Sequence, residues 1–211
     1  MPRPKPALSK SSQLSRYLNL RTSLIELGLA RSEDILGCSL AEIQALEQQL
    51  NLALPASYRD YLRIFGQASG LLWQAPVEVT AFAELPLMQR WLRQNLLRNG
   101  HLLPSLPFAF SLWNGYRYHF FLADEGPDPQ IYEYNENEAP PQLLYHGKHP
   151  LRFSRYVCEV HYQQRVKYVQ SKIQELGAAE CRSMLADKLE QLGLLQPALL
   201  DPMPRSNAAG P

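Results

Sequence analysis

The sequence predicts an α/β fold of the α+β kind. We expect helices to pack mainly on one side of a mixed, largely antiparallel sheet, with further helices at both ends. Three observations lead to this prediction. Residues 37–70 carry two apolar stripes at helical spacing. Residues 108–134 contain aromatic-rich runs that meet at Asn114-Gly115, a strong signal for a β-hairpin. From Phe153 the apolar residues return to helical spacing, so helices flank the strands.

Three helices are predicted before the strands. The first runs from residue 12 to residue 27, where apolar residues recur at helical spacing. Ser39 lies three residues before Glu42, a capping box that predicts the start of the second helix. Asn51 suits the left-handed conformation that ends a helix. The third helix begins near Pro55, and its apolar stripe consists of Tyr58, Tyr61, Leu62 and Phe65.

The second and third helices carry a motif that resembles the opening motif of the SUKH superfamily. This superfamily includes fungal cell-wall-assembly regulators and bacterial immunity proteins. The pattern is Gly-x-Ser-x-x-x-Ile-x-x-x-Glu, then Leu-Pro-x-x-Tyr-Arg-x-Tyr-Leu, then a closing Gly. The chain departs from it at residues 51–53, where a Gly is usual, and at Ser69, where the family has Asn. We interpret the matching residues as fold-specifying: Gly37, Ser39, Ile43, Glu47, Leu54, Pro55, Tyr58, Arg59, Tyr61, Leu62 and Gly70.

The remaining elements follow from local patterns. Alternation over residues 77–81 predicts a strand, and residues 87–97 return to helical spacing before Asn99-Gly100. In the hairpin, strict alternation places Phe108, Phe110 and Leu112 on one face of the first strand. The second strand should carry Tyr116, Tyr118 and Phe120 on one face, with Arg117, His119 and Phe121 on the other. A further strand is predicted over residues 130–134. This order of elements is also similar to the SUKH core.

These patterns together divide the chain into four parts. Residues 1–36 are predicted to be a basic, partly helical extension, and residues 37–160 the SUKH-like core domain. Residues 161–195 are expected to pack on the core as C-terminal helices, the last of them over residues 178–192. Residues 196–211, with three Pro and one Gly before the final Pro, are expected to form a flexible tail.

The composition is that of an ordinary globular protein. Of 211 residues, 45% are hydrophobic and 19% charged, and the formal net charge is +1. This balance gives no reason to expect nucleic-acid or membrane binding. The three Cys are widely spaced, which favours reduced thiols in a cytoplasmic protein. The sequence has neither a run of about 18 apolar residues nor a secretory signal, so we expect no membrane span.

The search for catalytic chemistry finds few candidates. His146 and His149 are three residues apart in a Pro-flanked loop without a third ligand nearby, and we interpret them as surface residues. His119 lies on a predicted strand and is interpreted as a histidine bonded within the sheet. Cys38 precedes a helix N-terminus, which would favour a reactive thiolate, and the alternative is an inert thiol. We therefore predict a non-enzymatic protein with no cofactor and no metal. A hydrolase using His119 or Cys38 is the less favoured alternative.

An acidic stretch follows the predicted hairpin. Residues 124–138 contain six acidic residues and neither Lys nor Arg, a local charge of −6. This charge argues against stacking of bases on Tyr116, Tyr118 and Phe120 beside Arg117, which we predict to be core residues instead. The stretch is either a solvated edge protected by charge or a binding surface for a basic partner. The candidate partner-binding residues are Asp124, Glu125, Asp128, Glu133, Glu136 and Glu138.

The resemblance and the charge together lead to a functional hypothesis. The resemblance implies a protein-binding role, with immunity to polymorphic toxins, many of them nucleases, as the first interpretation. A nuclease domain is basic because it holds nucleic acid, so an acidic surface on its inhibitor is physically reasonable. The alternative is a scaffold or regulator of the fungal type. That role would use the basic residues 1–31, whose local charge is +5. In either role the expected partner is another protein.

Overall fold

The computed structural model describes residues 10–175 apart from Gly28, Leu71, residues 74–77, Pro104 and residues 138–139. The predicted helix at residues 178–192, the predicted tail and Glu138 lie outside the described residues. The helices are α1 (Lys10–Glu26), α2 (Leu40–Leu50), α3 (Ala56–Phe65), α4 (Leu85–Arg98), α5 (Phe153–Arg155) and α6 (Tyr162–Glu175). Short 3-10 turns span Ser32–Asp34 and Phe82–Glu84, and a π-helical segment, Tyr156–His161, joins α5 to α6.

The strands form one central antiparallel sheet and two small pairs. They are β1 (Ile35–Leu36), β2 (Ala68–Ser69), β3 (Glu78–Val79), β4 (Pro107–Trp113), β5 (Arg117–Leu122), β6 (Tyr132–Asn135), β7 (Gln142–Leu143), β8 (Tyr145–His146) and β9 (His149–Pro150). The central sheet has the order β3-β4-β5-β6-β7, while β1 pairs with β2 and β8 with β9. The fold is therefore α+β, as the sequence predicts.

The β4–β5 hairpin turns at the predicted residues. Asn114 and Gly115 have φ angles of 53° and 78°, the left-handed conformation that a tight hairpin turn with two central residues requires. Asn and Gly adopt it at low cost because Asn bonds its own backbone and Gly lacks a Cβ. The turn thus sets the register of the two longest strands, in which Tyr118 of β5 pairs with Leu112 of β4.

A β-bulge in β4 corrects one prediction about its faces. The register shifts between Ala109 and Ser111, so one extra residue is inserted into β4. Phe110 consequently shares its face with Phe108, but Leu112 moves to the opposite face. The prediction that all three share one face was wrong, because it assumed unbroken alternation and the bulge adds a residue to the count.

The sheet separates two layers of side chains. On one face Tyr58 of α3 packs within 5.3 Å, centroid to centroid, of the rings of Phe108, Phe121 and Phe153. Helix α1 lies against α3 through Tyr17 and Tyr61. On the opposite face α4 packs on β4 and bonds β5 through its polar residues. Helices thus lie mainly on one side, and α4 covers the other.

Candidate functional site

The first half of the motif builds the junction between α2 and α3. A Cβ at Gly37 would lie 1.8 Å from the carbonyl oxygen of Arg63, so the close backbone approach requires glycine. Ser39 Oγ accepts a hydrogen bond from Glu42 N at 3.2 Å, and Ser39 N donates to Glu42 Oε2 at 2.7 Å. This reciprocal capping box starts α2 where the sequence predicts it. Asn51, at φ 48°, ends the helix as predicted.

The second half of the motif is also engaged in internal contacts. Glu47 Oε1 accepts a hydrogen bond from Leu54 N at 2.7 Å and lies 3.8 Å from Arg59 Nε. It therefore joins α2 to the turn before α3. Tyr58 is only 2% exposed, at the centre of the aromatic cluster. Gly70 has a φ of +58°, and a Cβ there would meet the Cβ of Ala30 at 2.4 Å.

Two acidic residues of the predicted binding stretch, Glu125 and Asp128, accept hydrogen bonds from neighbouring segments of the chain. Asp128 is 9% exposed and accepts hydrogen bonds from Ser154 N at 2.9 Å and Ser154 Oγ at 2.7 Å. The carboxylate therefore caps the start of α5. Glu125 accepts a bond from the Tyr132 hydroxyl at 2.6 Å and one from Gln130 N at 3.3 Å. Both residues hold the turn between β5 and β6 in place.

Glu133 of β6 interacts with a buried histidine. His119 Nε2 lies 3.0 Å from Glu133 Oε2, and the Tyr156 hydroxyl lies 3.2 Å from His119 Nδ1. Because the carboxylate can only accept, Nε2 carries the proton in the neutral ring, and Tyr156 donates to Nδ1. The hydrogen bond with His119 lowers the pKa of Glu133 despite burial, with a smaller contribution from the charge of Arg117. His119 is thus bonded within the fold on both ring nitrogens.

Glu136 lies on the other face of the sheet. Its Oε1 accepts hydrogen bonds from Asn95 Nδ2 of α4 and from the Tyr118 hydroxyl, the latter at 3.1 Å. Burial raises the pKa of Tyr118, and the neighbouring charge of Glu136 adds to this effect. Tyr118 faces α4, whereas His119 faces Tyr156 of the π-helical segment, so Glu133 and Glu136 point to opposite sides. Asp124 is exposed. The structure therefore does not bring the acidic residues together in one patch.

Tyr118 and Phe120 lie in the core as predicted, whereas Tyr116 precedes β5 and is only half-buried, so the prediction that it is a core residue was wrong. Tyr118 and Phe120 are 1% and 0% exposed. Their rings stack on Tyr134 and Tyr132 of the next strand. Base stacking needs exposed rings, so these residues do not supply it.

Cys38 does not have the chemistry expected of a residue before a helix. Its side chain is 6% exposed, and burial raises the pKa of the thiol to about 12, with a further contribution from Glu42. The prediction that this position favours a thiolate was wrong, because burial outweighs the favourable end of α2. Cys158 is also a free thiol whose pKa burial raises to about 12.

The histidine pair identified in the sequence lies outside the central sheet. His146 and His149 are backbone pairing partners in the short β8–β9 hairpin. Across the residues that the structure describes, no group of three or more His, Cys, Asp and Glu side chains is arranged to hold a metal. Within the same residues, no helix is both long enough and apolar enough to span a membrane.

Sequence reasoning missed a groove between α2 and α4. Its volume is about 340 Å³, and the stripe Pro86, Arg90, Arg93 and Leu97 of α4 forms one wall. Gln49 and Leu50 at the end of α2 form the other wall. Helical periodicity identified the inward positions of both helices, but it cannot show which outward positions meet across the gap between them.

The fold and these contacts define the class of the molecule. It is an α+β domain whose motif residues hold two helices against a sheet. The family model described as SMI1 / KNR4 family (SUKH-1) matches residues 37–146, and the chain belongs to this family. A search of curated proteins finds no match. Family membership supports, at a coarse level, a protein-binding module of the immunity or regulatory type, in a family that is generally non-enzymatic.

Proposed function

We propose that the protein is a non-enzymatic immunity protein that binds a toxin domain and blocks it. The observation that carries this proposal is the match to the SUKH-1 family over residues 37–146. Inhibition would be steric and electrostatic, because a bound protein covers the toxin's site without making or breaking a bond. A nuclease domain is a suitable target, since its basic surface attracts exposed carboxylates and this attraction speeds association.

The contacts of the acidic residues decide where to look for this surface. Asp128, Glu125, Glu133 and Glu136 all accept hydrogen bonds within the chain, so changing them also changes the fold. Asp124 is exposed in the turn after β5 and offers its carboxylate to solvent. We therefore propose Asp124 as the first contact residue to test, with the partly exposed Glu133 and Glu136 as secondary contacts.

A growth assay tests the proposal directly. Proteins that co-purify in equal amounts with the chain are identified, and the toxin-like domain among them is expressed alone and together with this protein. We expect the domain alone to stop growth and co-expression to restore it. The Asp124→Lys variant should weaken binding by about tenfold, the effect of about 1.4 kcal/mol.

Glu26→Lys is the matched control. Glu26 is exposed near the end of α1, and the same charge change there should alter affinity by less than about twofold. Equal binding by wild type and Asp124→Lys would remove Asp124 from the contact surface. Failure of the chain to restore growth against its own stoichiometric partner would contradict the immunity proposal itself.

The second candidate is an intracellular scaffold or regulator. The basic residues 1–31 favour it, since their local charge of +5 would attract an acidic partner. Tyr17, Leu20 and Leu24 of α1 are buried in the core, so a deletion of all 31 residues would disrupt the fold. Deleting only residues 1–9 removes Arg3 and Lys5 and leaves α1 in place. Immunity should survive this deletion unchanged, whereas binding through the basic segment should weaken, because two of its six basic residues are lost.

The contacts do not favour the third hypothesis, a hydrolase. His119 is bonded to Glu133 and Tyr156 inside the fold, and the Cys38 thiol has a pKa of about 12. A general base needs a free nitrogen that faces the substrate, and a cysteine nucleophile needs a thiolate near neutral pH. Both candidate residues are better explained as parts of the core.

A further inference from the structure

The groove between α2 and α4 contains a guanidinium group with two free donors. Arg93 Nε and Nη2 are shielded from solvent, and neither has a hydrogen-bond partner among the residues that the structure describes. Shielding a cation without a partner is unfavourable, because the lost hydration is not replaced. Such an arrangement is expected where a ligand, and not the folded chain, supplies the partner.

The geometry of these two donors specifies the kind of partner. In a guanidinium group the Nε–H and one Nη–H bond are parallel, and together they match the two oxygens of a carboxylate. Gln89, four residues before Arg93 on the same helix, uses its side-chain amide in bonds to Leu85 and Ala109, so its oxygen accepts from Ala109 N and not from Arg93. The unpaired Nε–Nη2 edge therefore has the donor geometry that a two-point contact with a carboxylate needs.

The surroundings of Arg93 are basic and apolar at once. Helix α4 carries Arg90, Arg93 and Arg98 and no acidic residue. Leu50, Pro86 and Leu97 line the groove beside the two arginines, and Leu97 is 66% exposed. A ligand that satisfies both properties needs a carboxylate next to an apolar side chain. A volume of about 340 Å³ accommodates a short piece of peptide and is too small for a folded domain.

We propose that this groove binds an acidic segment of a partner protein, with a carboxylate on Arg93 and a neighbouring apolar side chain against Leu50 and Leu97. Nucleic acid fits less well, since it gains affinity from many phosphate contacts and the groove has two cations and an apolar lining. None of the groove residues belongs to the acidic stretch of residues 124–138. The groove is thus a second contact surface, and it goes beyond the proposed inhibition of a toxin.

A selection from random peptides tests the proposal with the full chain. A displayed library of random dodecapeptides is selected on the wild-type protein, with the Arg93→Met variant used to remove peptides that bind elsewhere. We expect the selected peptides to share an Asp or Glu beside a large apolar residue. The affinity of the best peptide is then measured by fluorescence anisotropy. The Arg93→Met variant should bind it at least about tenfold more weakly, as expected for the loss of a two-point ionic hydrogen bond.

Three comparisons make the result specific. Arg93→Lys keeps the charge but not the paired donors, so it should bind at an intermediate level. Arg98→Met removes a charge from the same helix outside the groove and should change affinity by less than about twofold. The melting temperature of Arg93→Met should stay level or rise, because the substitution removes an unpaired, shielded cation.

Several outcomes would overturn the proposal. These are selected peptides without acidic residues, no selected peptide at all, or equal binding by the wild type and Arg93→Met. A marked fall in the melting temperature of Arg93→Met would show a structural role for the guanidinium group instead. Tighter binding of a single-stranded oligothymidine than of the best peptide, lost in the same variant, would assign the groove to nucleic acid. None of these measurements depends on the toxin, so the proposed function can fail or stand separately.

Discussion

Lowering the pH should destabilise the protein through His161, the last residue of the π-helical segment. Its ring stacks on Trp73 with centroids 3.9 Å apart, and its Nε2 lies 2.8 Å from the carbonyl oxygen of Leu72. Burial lowers the pKa of His161 to about 4, and the charges of His119 and Arg165 act in the same direction. The hydrogen bond to Leu72 opposes the shift but does not cancel it.

The direction and size of the effect follow from the two states. In the unfolded chain His161 titrates near its ordinary pKa of about 6.5. Between pH 6.5 and pH 4 the unfolded state therefore binds more protons, so the free energy of unfolding falls as the pH falls. Each pKa unit corresponds to about 1.4 kcal/mol, which gives a total loss of about 3 kcal/mol at the acidic end of this range.

The assay is urea denaturation from about pH 7.5 to about pH 4.5, applied to wild type and to His161→Phe. Phenylalanine keeps an aromatic ring against Trp73 but cannot take up a proton. It also leaves the Leu72 carbonyl without its donor, a loss that is the same at every pH. Carboxylates and the other histidines titrate in both proteins, so the difference between the two curves isolates His161.

We expect this difference to change by about 2.5 kcal/mol across the range, with wild type losing more stability on acidification. The change should follow a single titration that begins near the ordinary histidine pKa. Parallel curves for the two proteins would refute the reasoning. They would mean that His161 takes up its proton without unfolding, and that its contacts with Trp73 and Leu72 do not favour the neutral ring.

Three further predictions concern the core. Gln89→Leu leaves both Ala109 N and Ala109 O unpaired and buried, so the free energy of unfolding should fall by about 2–4 kcal/mol in urea denaturation. The control Gln94→Leu, at an exposed position of the same helix, should lower the free energy of unfolding by less than about 0.5 kcal/mol. A similar loss of stability in both variants would contradict the role of the Gln89 side-chain amide. Asp128→Ala should lower the free energy of unfolding by about 2 kcal/mol, because it removes the carboxylate that caps α5. The control Asp124→Ala should leave the stability unchanged, and equal melting temperatures of the two variants would exclude the cap. Cys38, whose thiol has a pKa of about 12, should resist alkylation by iodoacetamide at neutral pH until urea unfolds the chain. Rapid labelling of Cys38 in the folded protein, detected by peptide mass spectrometry, would contradict this prediction.

Much of the secondary structure was predictable because its causes are local. Ser39 and Glu42 form a capping box within one helical turn, and Asn51 ends α2 in the left-handed conformation. Asn114-Gly115 closes the hairpin for the same kind of reason, since few other residue pairs adopt two positive φ angles cheaply. Helix α4 extends from Leu85 to Arg98, close to the predicted 87–97. The SUKH-like motif of residues 37–70 could be recognised for the same reason, because several of its residues are the caps and turn residues that these helices require.

The candidate surfaces were less predictable because they depend on contacts between distant segments. The acidic residues 124–138 form one run along the chain, yet Glu133 bonds His119 on one face of the sheet and Glu136 bonds Asn95 on the other. A bulge that Gln89 holds at Ala109 moves Leu112 away from Phe110, and no local pattern marks it.

The sequence by itself determined where helices and turns begin and end, since capping, periodicity and left-handed positions act over a few residues. Only the tertiary structure decided which charges are available to a partner. Burial and pairing of a charge depend on what the rest of the chain places beside it. Asp128 accepts the hydrogen bonds that cap α5, and burial keeps the Cys38 thiol protonated. The Nε and Nη2 donors of Arg93, beside the groove between α2 and α4, have no partner within the part of the chain that the structure describes.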